Sequence, residues 1–362
     1  MKEKLSLLTA ELRSRIEKAD SDKLIITEDA TSRRLTTFGV GGNVSFLVSE
    51  VGSFKVLSQV ISFFRHKGIL PRFLGNGSNL VIPDAGIYSS PVIRLGGGSL
   101  KFGLLTDNLK IENTTVDSLD HAFSLNKNSF SDKDLYSSSG SIIFRVHGGS
   151  PLMGMSRVFS GGGLSGLEFA AGIPGSLGGG IRMNAGAHGE ELEKIILRVF
   201  TLDNKGSLKI YEKDDLVWSY RKSSIPPDDV ILAADIVLAF SDRESTEFKR
   251  KSALSYRKKT QPLQFPSAGS VFRNPEVDQK SIISSSTDSP TISAGALLER
   301  NGLKGYALRG VSFSHLHANW IIVHDPDLAS SSDICALVEY ARELIIKREQ
   351  ISLTPEVLFW DS

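Results

Sequence analysis

Apolar residues recur at helical spacing in several stretches of the chain. Leu5, Leu8, Leu12 and Ile16 fall among charged residues and predict a helix over 2–18. Ser53 to Lys67 predicts a second, with Val56, Val60 and Phe63 or Phe64 inward, Ser53 as N-cap and Gly68 past the end. Ser150-Pro151 reads as a helix start, with serine at the N-cap and proline in the first turn. Glu244 to Lys259 predicts a charged helix that stops before Gln261-Pro262. Ala294 to Asn301 is a short helix closed by Gly302. The strongest pattern runs from Asp333 to Arg348, with Ile334, Leu337, Val338, Ala341, Leu344 and Ile345 on the inner face.

Short apolar runs at 71–74, 80–82, 91–95, 142–147 and 320–323 predict strands. The early strand, helix, strand order points to a small α/β unit. Runs at 195–202, 207–212 and 230–240 read as a strand meander, and 351–360 as extended chain. Two stretches lack periodicity and are rich in Ser, Asn and Asp. Most of the first, at about 97–141, and the second, at 281–293, read as surface insertions. Glycine crowds 161–189. No repeat of solenoid period is present.

Charge adds mainly exclusions. The 362 residues carry 42 basic and 41 acidic side chains, a net of +1, which gives no global field for nucleic acid or a membrane surface. The one cysteine, Cys335, rules out an intrachain disulfide framework, and its helix places it in the core. No run reaches the length of a membrane span, and the charged N-terminal pattern is not that of a signal peptide. A cytoplasmic, monomeric protein is the default expectation.

Candidate chemistry sits in the glycine-rich segments. Gly75, Asn76, Gly77, Ser78 and Asn79 follow a predicted strand and can turn amide N–H groups toward an anion. They match neither a G-x-G-x-x-G nor a G-K-S/T signature, so taken alone an ordinary turn is the readier reading. Gly172-Ile173-Pro174-Gly175, Gly178, Gly179 and the run Asn184-Ala185-Gly186-Ala187-His188 carry more glycine than a structural segment tolerates cheaply. A flat ligand on bare backbone explains them, as does a tight strand crossover. Pro266 to Pro275 sets Ser270 between Gly269 and the bulky Val271 and Phe272, with Arg273 and Asn274 behind: an arrangement fit for a proton donor shielded from water. Arg221, in Ser219-Tyr220-Arg221, can clamp a carboxylate. His315 and His317 share one face of an extended segment, but no thiol or carboxylate motif completes a metal site, and none is expected. Arg257, Lys258 and Lys259 form a basic helix end, a dipole-stabilising feature or a phosphate contact.

Together and in this order, the motifs resemble the UDP-N-acetylenolpyruvoylglucosamine reductase family. The likeness runs from Thr36-Thr-Phe-Gly-Val-Gly-Gly42 through Leu74–Leu80, Gly166–Gly175, Asn184–Gly189, Ser219–Arg221 and Pro266–Pro275. It continues through Gly302–Gly305 and His317–Asn319 to Leu353–Val357. The short link from Gln261-Pro262 to Ser270 is similar to the family's second type. The resemblance implies an α+β fold: a two-part FAD-binding domain of the vanillyl-alcohol-oxidase-like type and a C-terminal α+β substrate domain. On this chain it implies a helical extension over 1–29, the FAD-binding domain over 30–242, and the substrate domain over 243–350. Insertions fall at about 97–141 and 278–293, and 351–362 returns as a strand to the active site.

It further implies non-covalent FAD, NADPH as hydride donor, and UDP-N-acetylglucosamine enolpyruvate as acceptor, reduced to UDP-N-acetylmuramate for peptidoglycan precursors. NADPH reduces the flavin, leaves, and the sugar nucleotide takes its place. Arg221 and Glu356 would steady the charge formed on the enolpyruvyl group, with the Glu356 carboxyl protonated or bridged by Arg221, and Ser270 would protonate C2. The glycine-rich residues above and His188 would hold the flavin; Arg257 or Lys258, Asn274, His317 and Asn319 would meet the substrate. His188 departs from an expected tyrosine and His324 from a commoner asparagine. An oxidase of the same fold acting on another small substrate is the alternative, and a catalytically dead flavin module a more distant one.

Overall fold

The computed structural model describes residues 2–16, 24–49, 53–95, 100–105, 114–124, 140–275 and 292–361. Most of the second predicted insertion lies outside these residues. The chain forms two compact units, both discontinuous in sequence. The first comprises 1–30, 45–76 and 88–255; the second comprises 31–44, 77–87 and 256–362. This grouping interleaves segments that the sequence reading divides consecutively. The α+β class is as expected: α-helices accompany mostly antiparallel sheets, with parallel pairing confined to runs of two or three residues.

In the first unit, α1 spans Lys2–Arg15 and α2 spans Phe54–His66. The Ser53 hydroxyl caps α2 by accepting the Val56 N–H, and Val56, Leu57, Val60, Ile61, Phe63 and Phe64 are buried. They pack with Leu12, Ile16, Phe46, Val48 and Ile93. A four-stranded sheet in the order Ile25–Thr31, Asn43–Ser49, Val92–Arg94, Arg72–Leu74 lies on this core, the last three strands being parallel.

The stretch 97–141 is not wholly a surface insertion. Phe102–Leu104 forms a strand paired with Ser141–His147, and Phe102 is buried against Phe144 and Phe159. The helix α3 (Val116–Ser124) buries Leu119, and its Asp120 carboxylate accepts the first N–H groups of α2. Two apolar anchors among many polar residues leave little period to detect.

The large sheet runs in the order Leu208–Glu212, Ile196–Leu202, Val230–Phe240, Ser141–His147, Phe102–Leu104. Its three C-terminal strands are therefore not a meander, since Val230–Phe240 pairs with Ile196–Leu202 rather than with the intervening hairpin strand. One cross-strand row explains part of this register. Glu212, Arg198, Asp235 and Arg145 stand opposite one another on successive strands. Arg145 grips Asp235 at 2.7 and 2.9 Å, and Arg198 reaches both Asp235 at 3.0 Å and Glu212 at 2.6 Å. Any slip would leave buried charges unpaired.

The helix α4 (Leu152–Gly161) starts one residue later than the Ser150-Pro151 signal implies, with Pro151 at the N-cap. The Ser150 hydroxyl is engaged by the Lys101 backbone instead. The short α5 (Leu177–Arg182) is capped by Ser176. The chain passes along α6 (Arg243–Thr260) toward the second unit.

His147 closes its strand with its ring stacked on Phe54 at 4.9 Å, and its Nδ1 accepts the Gly149 N–H at 2.9 Å. Burial, with Lys101 nearby, pushes its pKa down to about 3. The unfolded chain takes up a proton near pH 6.5 that the fold refuses until about pH 3. Stability from this group is therefore full above pH 6.5 and falls as the pH drops toward 3. Urea midpoints of wild type and His147→Gln should diverge in pH dependence, with wild type losing about 2–3 kcal/mol more between pH ~7 and ~4.5.

In the second unit, α7 spans Ala294–Arg300 and α8 spans Ser331–Glu349. Ser330 and Asp333 form a capping box on α8, and Ile334, Leu337, Val338, Ala341 and Ile345 are buried, with Leu344 packed beside them. Cys335 is exposed, not in the core as expected, because it lies off this stripe. Partial desolvation of its thiol, with Asp84 and Glu339 nearby, raises its pKa, so exposure does not make it a ready nucleophile. The antiparallel strands Ala307–Leu308, Val311–Phe313 and Ile321–Val323 form a small sheet, and Leu358–Phe359 pairs in parallel with Leu80–Val81. No helix among the described residues is long and apolar enough to cross a membrane.

Candidate active site

In the second unit the Ser270 segment is fixed from both sides. On one side, Asn319 spans the backbone of Phe272: its Oδ1 accepts the Phe272 N–H at 2.9 Å, and its Nδ2 donates to the Phe272 carbonyl at 2.8 Å. Its own carbonyl accepts the Val271 N–H. On the other, Glu356 N–H donates to Val271 O at 2.7 Å and Arg273 N–H to Thr354 O at 3.0 Å. Two residues distant in sequence, Ser270 and Glu356, are thereby set on adjoining segments. Ala268, Val271 and Phe272 anchor the segment in the core with Leu353 and Val357, while Ser270 remains half-buried.

Asn319, read from sequence as a substrate contact, spends its side chain on this backbone and is itself buried. Its replacement by alanine strands two buried main-chain groups. We expect Asn319→Ala to lose about 2–6 kcal/mol in denaturant unfolding, since each of the two stranded groups costs about 1–3 kcal/mol.

The Gly77–Asn79 turn joins the same unit. Thr37 N–H donates to Gly77 O, and a Cβ on Gly77, at φ +62°, would lie 1.9 Å from Leu35 O. Only glycine admits this approach, which welds the Thr36–Gly42 motif to the turn. Asn79 Nδ2 donates to Glu356 O at 3.0 Å, and Leu358 N–H to Asn79 O. Among the described residues no acceptor meets the main-chain N–H groups of Gly77, Ser78 and Asn79. Three consecutive unspent donors suit a phosphate-bearing ligand.

Other predicted contacts of this unit are placed as follows. Arg257 is buried at the end of α6, while Lys258 and Lys259 are exposed, so the inward cation of the cluster is Arg257. Asn274 is exposed and its Oδ1 accepts the Ala294 N–H at the start of α7. The two imidazoles do not act as a pair: the His315 ring lies against Gly305, and the His317 ring against Gly295. His317 Nδ1 accepts the Asn319 N–H at 3.2 Å, and burial lowers its pKa, favouring the neutral ring. No cluster of three metal-ligating side chains exists among the described residues.

In the first unit the glycine-rich segments converge. Leu152 N–H donates to Gly175 O, Leu177 N–H to Ser150 O, and Gly178 N–H to Gly148 O. Gly172–Gly175 and Gly178–Gly179 thus pack on the turn that follows Ser141–His147, with Ile173 against the core and Pro174 exposed. The Asn184–His188 run leads into a hairpin of Gly186–Ala187 with Glu190–Glu191. Its two-residue loop, His188-Gly189, has both φ positive, at +57° and +80°, as a type I′ turn requires. His188 is exposed there, and Ala185 is tied back to α5 through Gly180 O.

Arg221 is carried by a second hairpin, Trp218–Ser219 with Lys222–Ser223, rather than by a helix end or open loop. It occupies the second loop position at φ +56°. Its Nη2 donates to Gly186 O at 3.0 Å, its Nη1 lies 4.0 Å from Glu191, and its guanidinium stands 5.0 Å over the Tyr220 ring. Buried Asn184 links the two hairpins, donating from Nδ2 to Glu191 at 2.8 Å and to Ser219 O at 3.3 Å. Sequence reading passed over Glu191. The available signal was the His-Gly dipeptide two residues before it, which marks a hairpin turn and so a strand partner for Gly186.

Residues 261–360 match the family model described as UDP-N-acetylenolpyruvoylglucosamine reductase, C-terminal domain. The UDP-N-acetylenolpyruvoylglucosamine reductase of Heliobacterium modesticaldum is 33% identical over 325 residues, covering 90% of this chain and 87% of that protein. That of Bacillus subtilis is 33% identical over 326 residues, covering 89% of each. The crystal structure of the Thermus caldophilus reductase superposes with a TM-score of 0.65 at 25% identity, covering 94% of this chain and 99% of that one. The chain therefore belongs to the UDP-N-acetylenolpyruvoylglucosamine reductase family.

Proposed function

We propose that this protein catalyses the NADPH-dependent, FAD-mediated reduction of UDP-N-acetylglucosamine enolpyruvate to UDP-N-acetylmuramate. Membership of the reductase family over nine-tenths of the chain carries the reading and favours it over the oxidase alternative. The adjoining of Ser270 and Glu356 supports it. The short link from Gln261-Pro262 to Ser270 supports the second type of the family.

Two features fit FAD. The unspent N–H groups of Gly77, Ser78 and Asn79 suit its pyrophosphate. The segments Gly172–Gly179 and Asn184–His188 offer bare backbone to a flat ring. When bound, FAD supplies the hydride that NADPH has delivered to it, to C3 of the enolpyruvyl group. The residues of this chain then manage the charge and the proton. As the C2–C3 π pair moves onto C2 and the adjoining carboxylate, Arg221 supplies the positive charge that steadies it. Glu356 helps when protonated or bridged by Arg221, since a bare carboxylate would repel the intermediate. Ser270 gives its hydroxyl proton to C2, and its alkoxide is reprotonated from solvent. Arg257 is the cation we assign to the diphosphate, in preference to exposed Lys258, with Asn274 and His317 as further contacts.

The product identifies the reaction. Incubation with NADPH and the enolpyruvyl nucleotide in deuterated water should give UDP-N-acetylmuramate carrying solvent deuterium at C2, and also at C3 because the N–H of the reduced flavin exchanges with solvent before transfer, by mass spectrometry and NMR. Unchanged enolpyruvyl nucleotide with peroxide accumulating would instead indicate an oxidase.

A further inference from the structure

We propose that Glu191 is a positioning residue for Arg221, held in place by Asn184; this rests on the catalytic reading of Arg221 given above. Asn184 is fully buried, and one amide serves two hairpins. One Nδ2 hydrogen goes to Glu191 Oε2 at 2.8 Å and the other to Ser219 O at 3.3 Å, in the hairpin that carries Arg221. Its Oδ1 accepts the Glu193 N–H at 3.1 Å, which fixes the chain just beyond Glu191. The carboxylate is thus aimed with one oxygen on Asn184 and the other, Oε1, toward Arg221 Nη1 at 4.0 Å.

The backbone is built to allow this. Gly186 pairs across the hairpin with Glu191 and offers its carbonyl to Arg221 Nη2. A Cβ at 186 would lie 2.7 Å from Glu191 Cγ and 2.4 Å from Glu190 O, so any larger residue would displace the carboxylate or the strand. Glycine here serves the Glu191–Arg221 geometry, whatever it also offers a flavin.

The 4.0 Å separation is too long for a hydrogen bond but short for two charges. Glu191 therefore orients the guanidinium through charge rather than through a hydrogen bond of its own. Arg221 is long and flexible, and its loop alone does not fix where its charge stands. A fixed carboxylate beside it adds to the hold of Gly186 O, at the cost of some attraction for an incoming anion. Without that charge, the substrate carboxylate should bind as well or better, while the guanidinium is less well placed when charge develops.

The test uses the FAD-loaded enzyme. Glu191→Gln keeps an acceptor for Asn184 and removes only the charge. Reoxidation of the reduced flavin by UDP-N-acetylglucosamine enolpyruvate should slow by about tenfold, the scale expected of a modest misplacement. Calorimetric affinity for that nucleotide, flavin reduction by NADPH and the thermal midpoint should not fall. Glu191→Asp, which keeps the charge, should recover part of the loss. In an Arg221→Ala background Glu191→Gln should have no further effect. Undiminished reoxidation in Glu191→Gln overturns the proposal, as does an equal loss in the Arg221→Ala background or a loss matched by weaker binding. If wild-type enzyme is not reoxidised by the nucleotide at all, the functional reading fails first and takes this proposal with it. A wild type that turns over beside an unaffected Glu191→Gln sinks the proposal alone.

Discussion

Arg221→Ala slows reoxidation of the reduced flavin by the enolpyruvyl nucleotide about 10²–10³-fold, the usual cost of removing one preorganised charge stabiliser. The side chain is held by Gly186 O, faces Glu191 and sits over the Tyr220 ring, so its charge is positioned before substrate arrives. That preorganisation makes it worth more than a mobile surface arginine. Reduction of the flavin by NADPH precedes the step in which negative charge appears on the enolpyruvyl group, so it should survive the substitution. Arg221→Lys should recover only part of the rate, because an ammonium lacks the planar fork that meets a carboxylate twice. Stopped-flow flavin absorbance separates the two half-reactions.

Ser270→Ala slows the same half-reaction by about 10²–10⁴-fold, the range for loss of a positioned proton donor. The serine is held by its neighbours, since Val271 and Phe272 are locked by Asn319 and Glu356. Alanine at 270 disturbs none of those bonds, all of which are made by other residues. A loss confined to reoxidation therefore reports the missing hydroxyl. Equal loss of both half-reactions, or a lowered thermal midpoint, would point instead to damage of the segment. Ser270→Cys, which restores an ionisable proton, should recover part of the rate.

The parts of this fold that were legible are those whose signal is local. The α2 face, its Ser53 cap and Gly68, and the buried stripe of α8, can be read from spacing and cap residues because a helix carries its own period. The large sheet was legible as strands but not as an order. Strand pairing depends on partners elsewhere in the chain, here on the row from Glu212 through Arg198 and Asp235 to Arg145. Asp235 looks out of place in an apolar run until its two arginines are seen. Cys335 shows the converse limit, since one helical position off the stripe separates a core thiol from an exposed one.

The candidate site divides in the same way. Ser270 and Glu356 could be singled out as motifs, but not set side by side, because some eighty-five residues separate them and only the Asn319 and Thr354–Val357 contacts close the distance. The motif around Asn319 points to a ligand contact, whereas its amide is spent on the Phe272 backbone. A polar residue next to a catalytic segment has the same sequence signature whether it holds substrate or holds the chain. Glu191 carried no signal of its own, being one carboxylate in an acidic run.

The central claim is a relay of two half-reactions, and one experiment tests it most directly. The purified protein is loaded with FAD, reduced with NADPH without oxygen, and then given UDP-N-acetylglucosamine enolpyruvate while flavin absorbance is followed. The account predicts bleaching on NADPH and rapid return of the oxidised spectrum on the enolpyruvyl nucleotide. A flavin that stays reduced until oxygen is admitted would contradict it and favour an oxidase. Absence of any flavin signal after added FAD would contradict it at its base.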